Sequence, residues 1–231
     1  GKYLIQVTSE LWETIYLDQL HLLAVDHPDS VDIFVPEQFS PPPFPGYKIY
    51  TVGGKKLPVS ARGTDGGDVL EFINKEDDKY LADFQTDKYQ GTTEMHDLVL
   101  DPGNISGSGN LYLFLNGWIF PTDASINYAL SQSESLKVTP PVIQVINKKG
   151  EWETVIDNLG FPQGKDKTVI ADLTGKFLST DHRIRIRTNM EIYWDYVFFS
   201  DRLSETPVIS NVMEPESADL HFRGFSRGFR K

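Results

Sequence analysis

Aromatic side chains that lie near carboxylate and amide side chains are the residues of this sequence best suited to hold a ligand. Asp123 and Asn127 follow the predicted strand that contains Trp118, Tyr128 comes next, and Trp152 lies just after a separate turn. An exposed aromatic ring, with oxygen and nitrogen groups beside it to bond hydroxyls, is the arrangement that a sugar ligand needs. The sequence therefore predicts a ligand site formed by Trp118, Asp123, Asn127, Tyr128 and Trp152. The alternative, strongest for Trp118, is that the rings belong to the hydrophobic core.

Two acidic loops could bind calcium, which prefers oxygen ligands. Asp65 and Asp68 lie in one glycine-rich loop, and Asp101 precedes Asn104 in another. Neither loop has the D-x-D-x-D-G spacing with a distal Glu that marks an EF-hand. These four residues are the candidate Ca²⁺ ligands, and ordinary solvated turns are the alternative.

No catalytic motif is visible in the sequence. The chain has no cysteine and therefore no thiol nucleophile or thiolate metal site. A G-x-S-x-G nucleophile elbow is absent, and the five histidines never show the H-E-x-x-H spacing of a zinc site. We predict that the protein is not an enzyme. A carbohydrate-active enzyme is the alternative, and it would require two carboxylates that face each other in a cleft.

The charge of the chain argues against nucleic acid as a partner. The formal net charge is −11 and the isoelectric point is near 4.9, whereas phosphate binding needs clustered Lys and Arg. An exception is the basic and aromatic tail, residues 206–231, whose side chains are of types that are favoured at interfaces. The residues predicted to dock a partner there are Phe222, Arg223, Phe225, Arg227 and Phe229, with a plain edge strand or a frayed end as the alternative.

Short apolar runs separated by turn residues predict a mainly β fold. Strands are expected at residues 3–8, 31–35, 47–52, 95–101, 111–120, 142–146, 151–155 and 167–173, with residues 111–120 central in a sheet. Residues 183–188 alternate Arg with Ile as a half-buried strand would, and we expect them to form a hairpin with residues 191–200 about Asn189 and Met190. Apolar spacing over 69–84 predicts one or two short helices. The predicted fold is an antiparallel β-sandwich or jelly roll.

Two similar four-residue segments, the internal echo, lie near the two ends of the sequence. Ile15-Tyr16-Leu17-Asp18 and Ile192-Tyr193-Trp194-Asp195 share Ile, Tyr and Asp at matching places. We expect both segments to be strands whose Tyr and Asp anchor neighbouring loops by hydrogen bonds. One interpretation is that the two segments come from a partial duplication of a sandwich. The other is that the same β-hairpin sequence occurs twice without duplication.

Several blocks of the sequence, residues 23–28, 115–127, 159–165, 187–195 and 217–226, resemble a region of large bacterial proteins that carry FG-GAP (integrin-like) β-propeller repeats and a UnbV-type domain. The strand order is also similar to galactose-binding-like jelly rolls, by fold analogy. The resemblance implies a non-catalytic module of an exported or cell-envelope protein and supplies no site residue.

The expected organisation is an N-terminal β region (residues 1–92), a sandwich (93–205) and the tail (206–231). The expected function is a binding or assembly module for a glycan or a protein, in an extracellular or envelope setting, with adjoining domains of the same polypeptide or an assembly partner as neighbours. A purely structural scaffold domain is the alternative. No run approaches the roughly 18 apolar residues of a membrane span, so no transmembrane segment is expected.

Overall fold

The computed structural model describes residues 3–7, 16–105, 109–203, 206–219 and 221. As the sequence predicts, these residues form a mainly β fold with antiparallel sheets and short helical elements. The strands are β1 (Leu22–Asp26), β2 (Asp32–Phe34), β3 (Gln38–Phe39), β4 (Tyr50–Val52), β5 (Ser60–Arg62), β6 (Thr92–Asp101), β7 (Tyr112–Ile119), β8 (Val142–Ile146), β9 (Trp152–Ile156), β10 (Phe161–Pro162), β11 (Lys167–Asp172), β12 (Ile184–Met190), β13 (Ile192–Ser200) and β14 (Ile209–Met213).

Residue contacts divide the chain into two units. One combines residues 1–28 with 207–231, and the other is residues 29–206. This division differs from the predicted boundary near residue 92, because β5 pairs with β6 inside a single sheet. In the described part of the first unit, β1 pairs with β14, so that Leu22 lies opposite Met213 and Asp26 opposite Ile209.

The second unit is built on two antiparallel sheets, one with the order β5-β6-β12-β8-β9 and one with the order β11-β7-β13. The central position predicted for residues 111–120 is confirmed by β7, which lies between β11 and β13. The turn at residues 147–150 also forms the predicted hairpin between β8 and β9. Gly150 takes a φ of +82° there, a conformation that an L-residue adopts only with strain.

Alternate side chains of the two sheets form the core between them. Leu98 and Ile186 of the five-stranded sheet pack in one buried cluster with Leu113 and Val197 of the three-stranded sheet. Each such burial stabilises the fold by about 1.5–3 kcal/mol relative to an exposed side chain. Because successive strand residues point to opposite faces, the intervening residues of β12, Arg185 and Arg187, point away from this core. The solvent face predicted for these arginines is confirmed.

The other face of the three-stranded sheet is covered by the β2–β4 pair. The rings of Phe114 and Phe198 stack at 4.8 Å between centroids. Phe34 of β2 lies against both of them at 5.2 and 5.3 Å. The three-stranded sheet is thus apolar on both faces.

The free edge of β11 is closed by side chains as well as by backbone. Gln38 Nε2 donates to the Ile170 carbonyl at 3.0 Å, and the Ile170 N–H donates to Gln38 Oε1 at 3.2 Å. Glu37 makes the neighbouring contacts, with its backbone N–H donating to the Thr168 carbonyl and its carboxylate accepting from the Thr168 N–H. The Gln38 amide therefore takes the place of a peptide group on an adjacent strand.

The predicted hairpin between residues 183–188 and 191–200 is wrong. β12 pairs with β6 and β8, whereas β13 pairs with β7 in the other sheet. The chain passes between sheets at Glu191, which is buried and accepts hydrogen bonds from the Gly91 N–H at 3.2 Å and the Tyr193 hydroxyl at 2.6 Å. Both edges of β12 are already occupied, so β13 cannot fold back onto it.

The helical prediction for residues 69–84 is met by a single 3-10 turn, Leu70–Phe72. The rest of that segment is tied to β13 by isolated bridges, Asn74 to Tyr196 and Leu81 to Trp194, so edge pairing decides its backbone. Within the described residues, the α-helix lies elsewhere, at Ala124–Ser131 (α1).

The first half of the internal echo is not a strand. Tyr16, Leu17 and Asp18 form no β pairing and are exposed, as are residues 3–7, which were also predicted to be a strand. Ile15 and Thr8 lie outside the described residues. The second half lies in β13, where Asp195 is buried and accepts a 3.3 Å bond from the Asp77 N–H, which confirms its predicted role as a loop anchor.

Candidate ligand-binding site

Trp118, the first predicted ligand residue, lies in an aromatic cluster on the three-stranded sheet. Its ring stacks on Tyr193 at 4.6 Å and meets the edge of Tyr80 at 6.1 Å. The Tyr80 hydroxyl donates to Asp166 at 2.6 Å, and the Tyr193 hydroxyl is bonded to Glu191. Burial raises the pKa of both tyrosines, and the carboxylates that accept their hydrogen bonds raise it further. The two tyrosine hydroxyls of this cluster are thus engaged within the protein, and they fix the loops around it.

The predicted residues Asp123, Asn127 and Tyr128 belong to the start of α1. Asp123 caps the helix by accepting from the Ile126 N–H at 2.8 Å, and Asn127 Oδ1 accepts from the Thr122 hydroxyl at 2.9 Å. The bonds from the Ser125 hydroxyl and from the Ile126 N–H lower the pKa of Asp123. Tyr128 is 70% exposed. The local role of Asp123 is therefore that of an N-cap.

Trp152 lies apart from these four residues, on β9 of the five-stranded sheet. The Arg185 guanidinium lies over its ring, 4.8 Å from the ring centroid. Trp152 pairs with Ile146, and Arg185 faces away from the core, so the contact lies on the outer face of that sheet. The structure does not bring Trp152 together with Trp118, because the two rings lie on different sheets.

A continuous polar network runs across the outer face beside Trp152. Arg185 Nε donates to Gln144 Oε1 at 2.7 Å, and Gln144 Nε2 donates to the Thr154 hydroxyl at 3.1 Å. Asp97 accepts from Arg187 Nη1 at 2.9 and 3.1 Å and lies 3.6 Å from Arg185 Nη1. The network joins β6, β12, β8 and β9. We call this surface the Trp152 face, and its members are Asp97, Gln144, Trp152, Thr154, Arg185 and Arg187.

The two arginines of the Trp152 face differ in exposure. The side chain of Arg187 is 39% exposed, whereas those of Arg185 and Asp97 are 19% and 16% exposed. Burial lowers the pKa of the Arg185 guanidinium, and Asp97 acts in the opposite direction. Both arginines are cations at neutral pH, since the guanidinium group stays protonated in proteins. Arg185 is thus held rigidly under the Trp152 ring, while Arg187 is open to solvent.

Several donors of this face remain available. Among the contacts of the described residues, Arg187 uses only its Nη1 group, and the Trp152 indole N–H has no hydrogen-bond acceptor. In contrast, Trp118 Nε1 is buried without an acceptor and cannot reach a ligand. A ligand that lies on the Trp152 face would therefore meet a ring edge, unpaired N–H groups and a fixed amide.

An open cleft of about 420 Å³ lies at the start of β12. Asp181 and Arg183, which line it, form a bidentate ion pair. Arg183 Nη2 lies 2.6 Å and Nε lies 3.0 Å from the Asp181 oxygens. The bonds from Arg183 lower the pKa of Asp181. The predicted calcium ligands Asp101 and Asn104 also line this cleft.

The four candidate calcium ligands lie in two separate loops. Asp65, Asp68 and Asp101 each accept a hydrogen bond from a backbone N–H two residues further on, at 2.7, 3.0 and 2.8 Å. Within the described ranges, no group of three or more His, Asp or Glu side chains is placed to hold a metal ion. The calcium site stays a prediction.

The docking residues predicted in the tail, Phe222, Arg223, Phe225, Arg227 and Phe229, lie outside the described residues. Of the helices that the structure describes, none has the length and the apolar character that crossing a membrane requires.

Sequence reasoning found Trp152 but missed the residues that surround it. The alternation of Arg and Ile in 183–187 correctly indicated a solvent face, yet it was interpreted only as a structural feature. Asp97, Gln144 and Thr154 reach the same surface because β6, β8 and β9 flank β12, an order that the sequence does not reveal. In comparisons with known proteins, no family model, no curated protein and no solved structure matches this chain.

Proposed function

We propose that the protein is a non-catalytic glycan-binding module of a larger exported or envelope protein, and that it binds through the Trp152 face. The observation that carries the proposal is the pairing of Trp152 with a fixed polar network. The ring is held by Arg185 at 4.8 Å, and Arg185 is itself held by Gln144 at 2.7 Å. A site whose side chains are already ordered loses little conformational entropy when a ligand binds.

The composition of the face favours a sugar over a protein. A stable protein partner needs roughly 800 Å² of surface on each side and a largely apolar interface centre. The Trp152 face has one aromatic ring among amide, hydroxyl, carboxylate and guanidinium groups. Such groups bond hydroxyls in both directions, since Gln144 and Thr154 supply acceptors and donors while Arg187 supplies donors.

The experiment is a panel of neutral and acidic polysaccharides, examined by affinity electrophoresis and, for those that retard the protein, by calorimetry. Trp152→Ala is expected to raise the dissociation constant about 5-fold or more, because losing an aromatic anchor costs about 1–3 kcal/mol. Tyr128→Ala is the matched control, as it truncates an exposed ring on α1 and should leave the affinity unchanged. No retardation by any member of the panel, or equal binding by Trp152→Ala, would refute the proposal.

Two further measurements on the same samples separate the alternatives. Reducing sugars released from the bound polysaccharides would indicate a carbohydrate-active enzyme instead of a binding module. Repeating the titration with calcium and with a chelator tests the calcium prediction for Asp65, Asp68, Asp101 and Asn104.

A scaffold role in a surface assembly is the second candidate, and the β1–β14 pair is the observation that favours it. Ile209 and Val212 of β14 are 66% and 65% exposed, and an isolated two-stranded sheet is marginally stable in water. We propose that copies of the chain associate through this pair. Sedimentation at rising concentration should then show association that Val212→Asp abolishes, and a monomer at every concentration would count against the scaffold role.

A further inference from the structure

We propose that the glycan bound by the Trp152 face is anionic, with a carboxylate or sulfate group that pairs with Arg187. This inference rests on the proposed function and names its ligand class. Two guanidinium groups share one carboxylate at the centre of the face, because both Arg185 and Arg187 are paired with Asp97. One positive charge is therefore left without a partner.

The excess of positive charge is confined to the central trio. On the wider outer face of the five-stranded sheet, Arg62 and Arg183 are accompanied by Asp68, Asp101 and Asp181. The trio of Arg185, Arg187 and Asp97 carries a charge of +1, on a chain whose net charge is −11. An acidic protein that keeps a positive charge beside a partly exposed aromatic ring concentrates its attraction for anions at that place.

Arg187 has the geometry to use that charge. Its Nη1 group is bonded to both oxygens of Asp97, which orients the guanidinium, and its side chain is 39% exposed. Its Nε and Nη2 groups make no hydrogen bond among the described residues, so a carboxylate or sulfate can accept from them. Bonds between an ionised donor and an ionised acceptor are roughly twice as strong as neutral ones, and the planar fork of Arg matches an oxyanion.

Arg185 and Trp152 then set the orientation of the chain of sugars. Arg185 lies two residues before Arg187 on β12, so the two guanidinium stems start roughly 7 Å apart along the strand. Arg185 is covered by the Trp152 ring and bonded to Gln144, so it supports the ring and does not itself compete for the anion. A sugar ring on Trp152 would thus place a neighbouring acidic group toward Arg187.

The test uses pairs of polymers that differ only in charge. Polygalacturonate is compared with its methyl ester, and a sulfated galactan with its desulfated form, so that the two pairs separate carboxylate from sulfate recognition. We expect the wild-type protein to bind at least one anionic polymer about 10-fold more tightly than its neutral counterpart. Arg187→Gln should weaken binding to the anionic polymer far more than binding to the neutral one and so remove the preference, whereas Trp152→Ala should weaken binding to both.

Lys165→Gln is the matched control, since it removes one exposed positive charge beside β11 on the other sheet and should not alter the preference. Should Arg187→Gln fail to fold, the salt dependence of wild-type affinity gives the answer, because added salt must weaken binding to the anionic polymer alone. Equal affinity for the charged and neutral members of both pairs overturns the inference and leaves glycan binding in place. Absence of binding to all four polymers and to the wider panel overturns the proposed function as well.

Discussion

Replacing Gln38 by Leu is expected to destabilise the sandwich strongly, although Gln38 lies in a two-residue strand. Its side-chain amide is bonded to both the N–H and the carbonyl of Ile170, and both residues are buried. Leu has a similar size and no polar atom, so the substitution removes both bonds without leaving a large cavity. Water cannot take the place of the amide at a site covered in this way.

The expected magnitude follows from the two backbone groups that lose their partners. Each buried donor or acceptor left unsatisfied costs about 1–3 kcal/mol. The Gln38→Leu variant should therefore lose about 2–6 kcal/mol of unfolding free energy, a large share of the roughly 5–15 kcal/mol that holds a typical domain together.

Urea denaturation followed by tryptophan fluorescence measures this loss, and amide hydrogen exchange at Ile170 locates it. Gln163→Leu is the control, because Gln163 is exposed and its side-chain amide donates a single 3.1 Å bond, to the Gln38 carbonyl. That control should lose under about 1 kcal/mol. If Gln38→Leu loses no more than the control, or if Ile170 stays protected from exchange, the amide does not replace a strand partner.

Two more outcomes follow from buried polar groups. Tyr193→Phe should lower the unfolding free energy by about 1.5–3 kcal/mol, since buried Glu191 loses a hydrogen-bond donor. Tyr80→Phe, at a more exposed site, should cost under about 1 kcal/mol in the same urea titration. Burial lowers the pKa of His96 below its usual 6.5, so the unfolded chain binds the proton first and stability should fall as pH drops through about 6.5. His96→Gln should flatten that part of the stability profile, and an unchanged slope would show that another group is responsible.

Local patterns in the sequence predicted most of the sandwich. β7 is a continuous apolar run because both of its faces are buried, and β12 alternates because one of its faces is buried. The β8–β9 hairpin was visible in its turn residues. These features depend on neighbours along the chain, and so the sequence displays them directly.

The errors concern contacts between distant segments. Residues 69–84 have apolar spacing typical of a helix, but their bridges to β13 decide their backbone. The crossing at Glu191 depends on Gly91, just before β6, and on Phe120, just after β7, whose backbone groups bond to the backbone of Glu191. The α1 helix carried a usable signal, since Asp123 is a favoured N-cap residue and Ile126 and Leu130 lie one turn apart.

The candidate site also combines a residue that local sequence predicts with residues that only distant contacts bring together. Trp152 was predicted because a tryptophan beside a turn tends to be exposed. Its partners come from β6, β8 and β12, and the order of strands in a sheet is not encoded in the spacing of residues along any one of them. The echo at Tyr16 failed for a related reason, since three matching residues do not make a strand without a partner to pair with.

The passage of the chain from β12 into β13 has a consequence for how the protein would respond to load. Arg185 and Arg187 lie on a strand that continues, without an intervening loop, into the strand that contributes Val197 and Phe199 to the core. A pull on a glycan attached to these arginines would be transmitted along the backbone into the central packing of the sandwich. The strand is paired on both sides over residues 184–187, so a pull along its axis would load its backbone hydrogen bonds in shear, all at once, and would not open them one at a time. Attachment through β12 is thus suited to mechanical resistance at a surface.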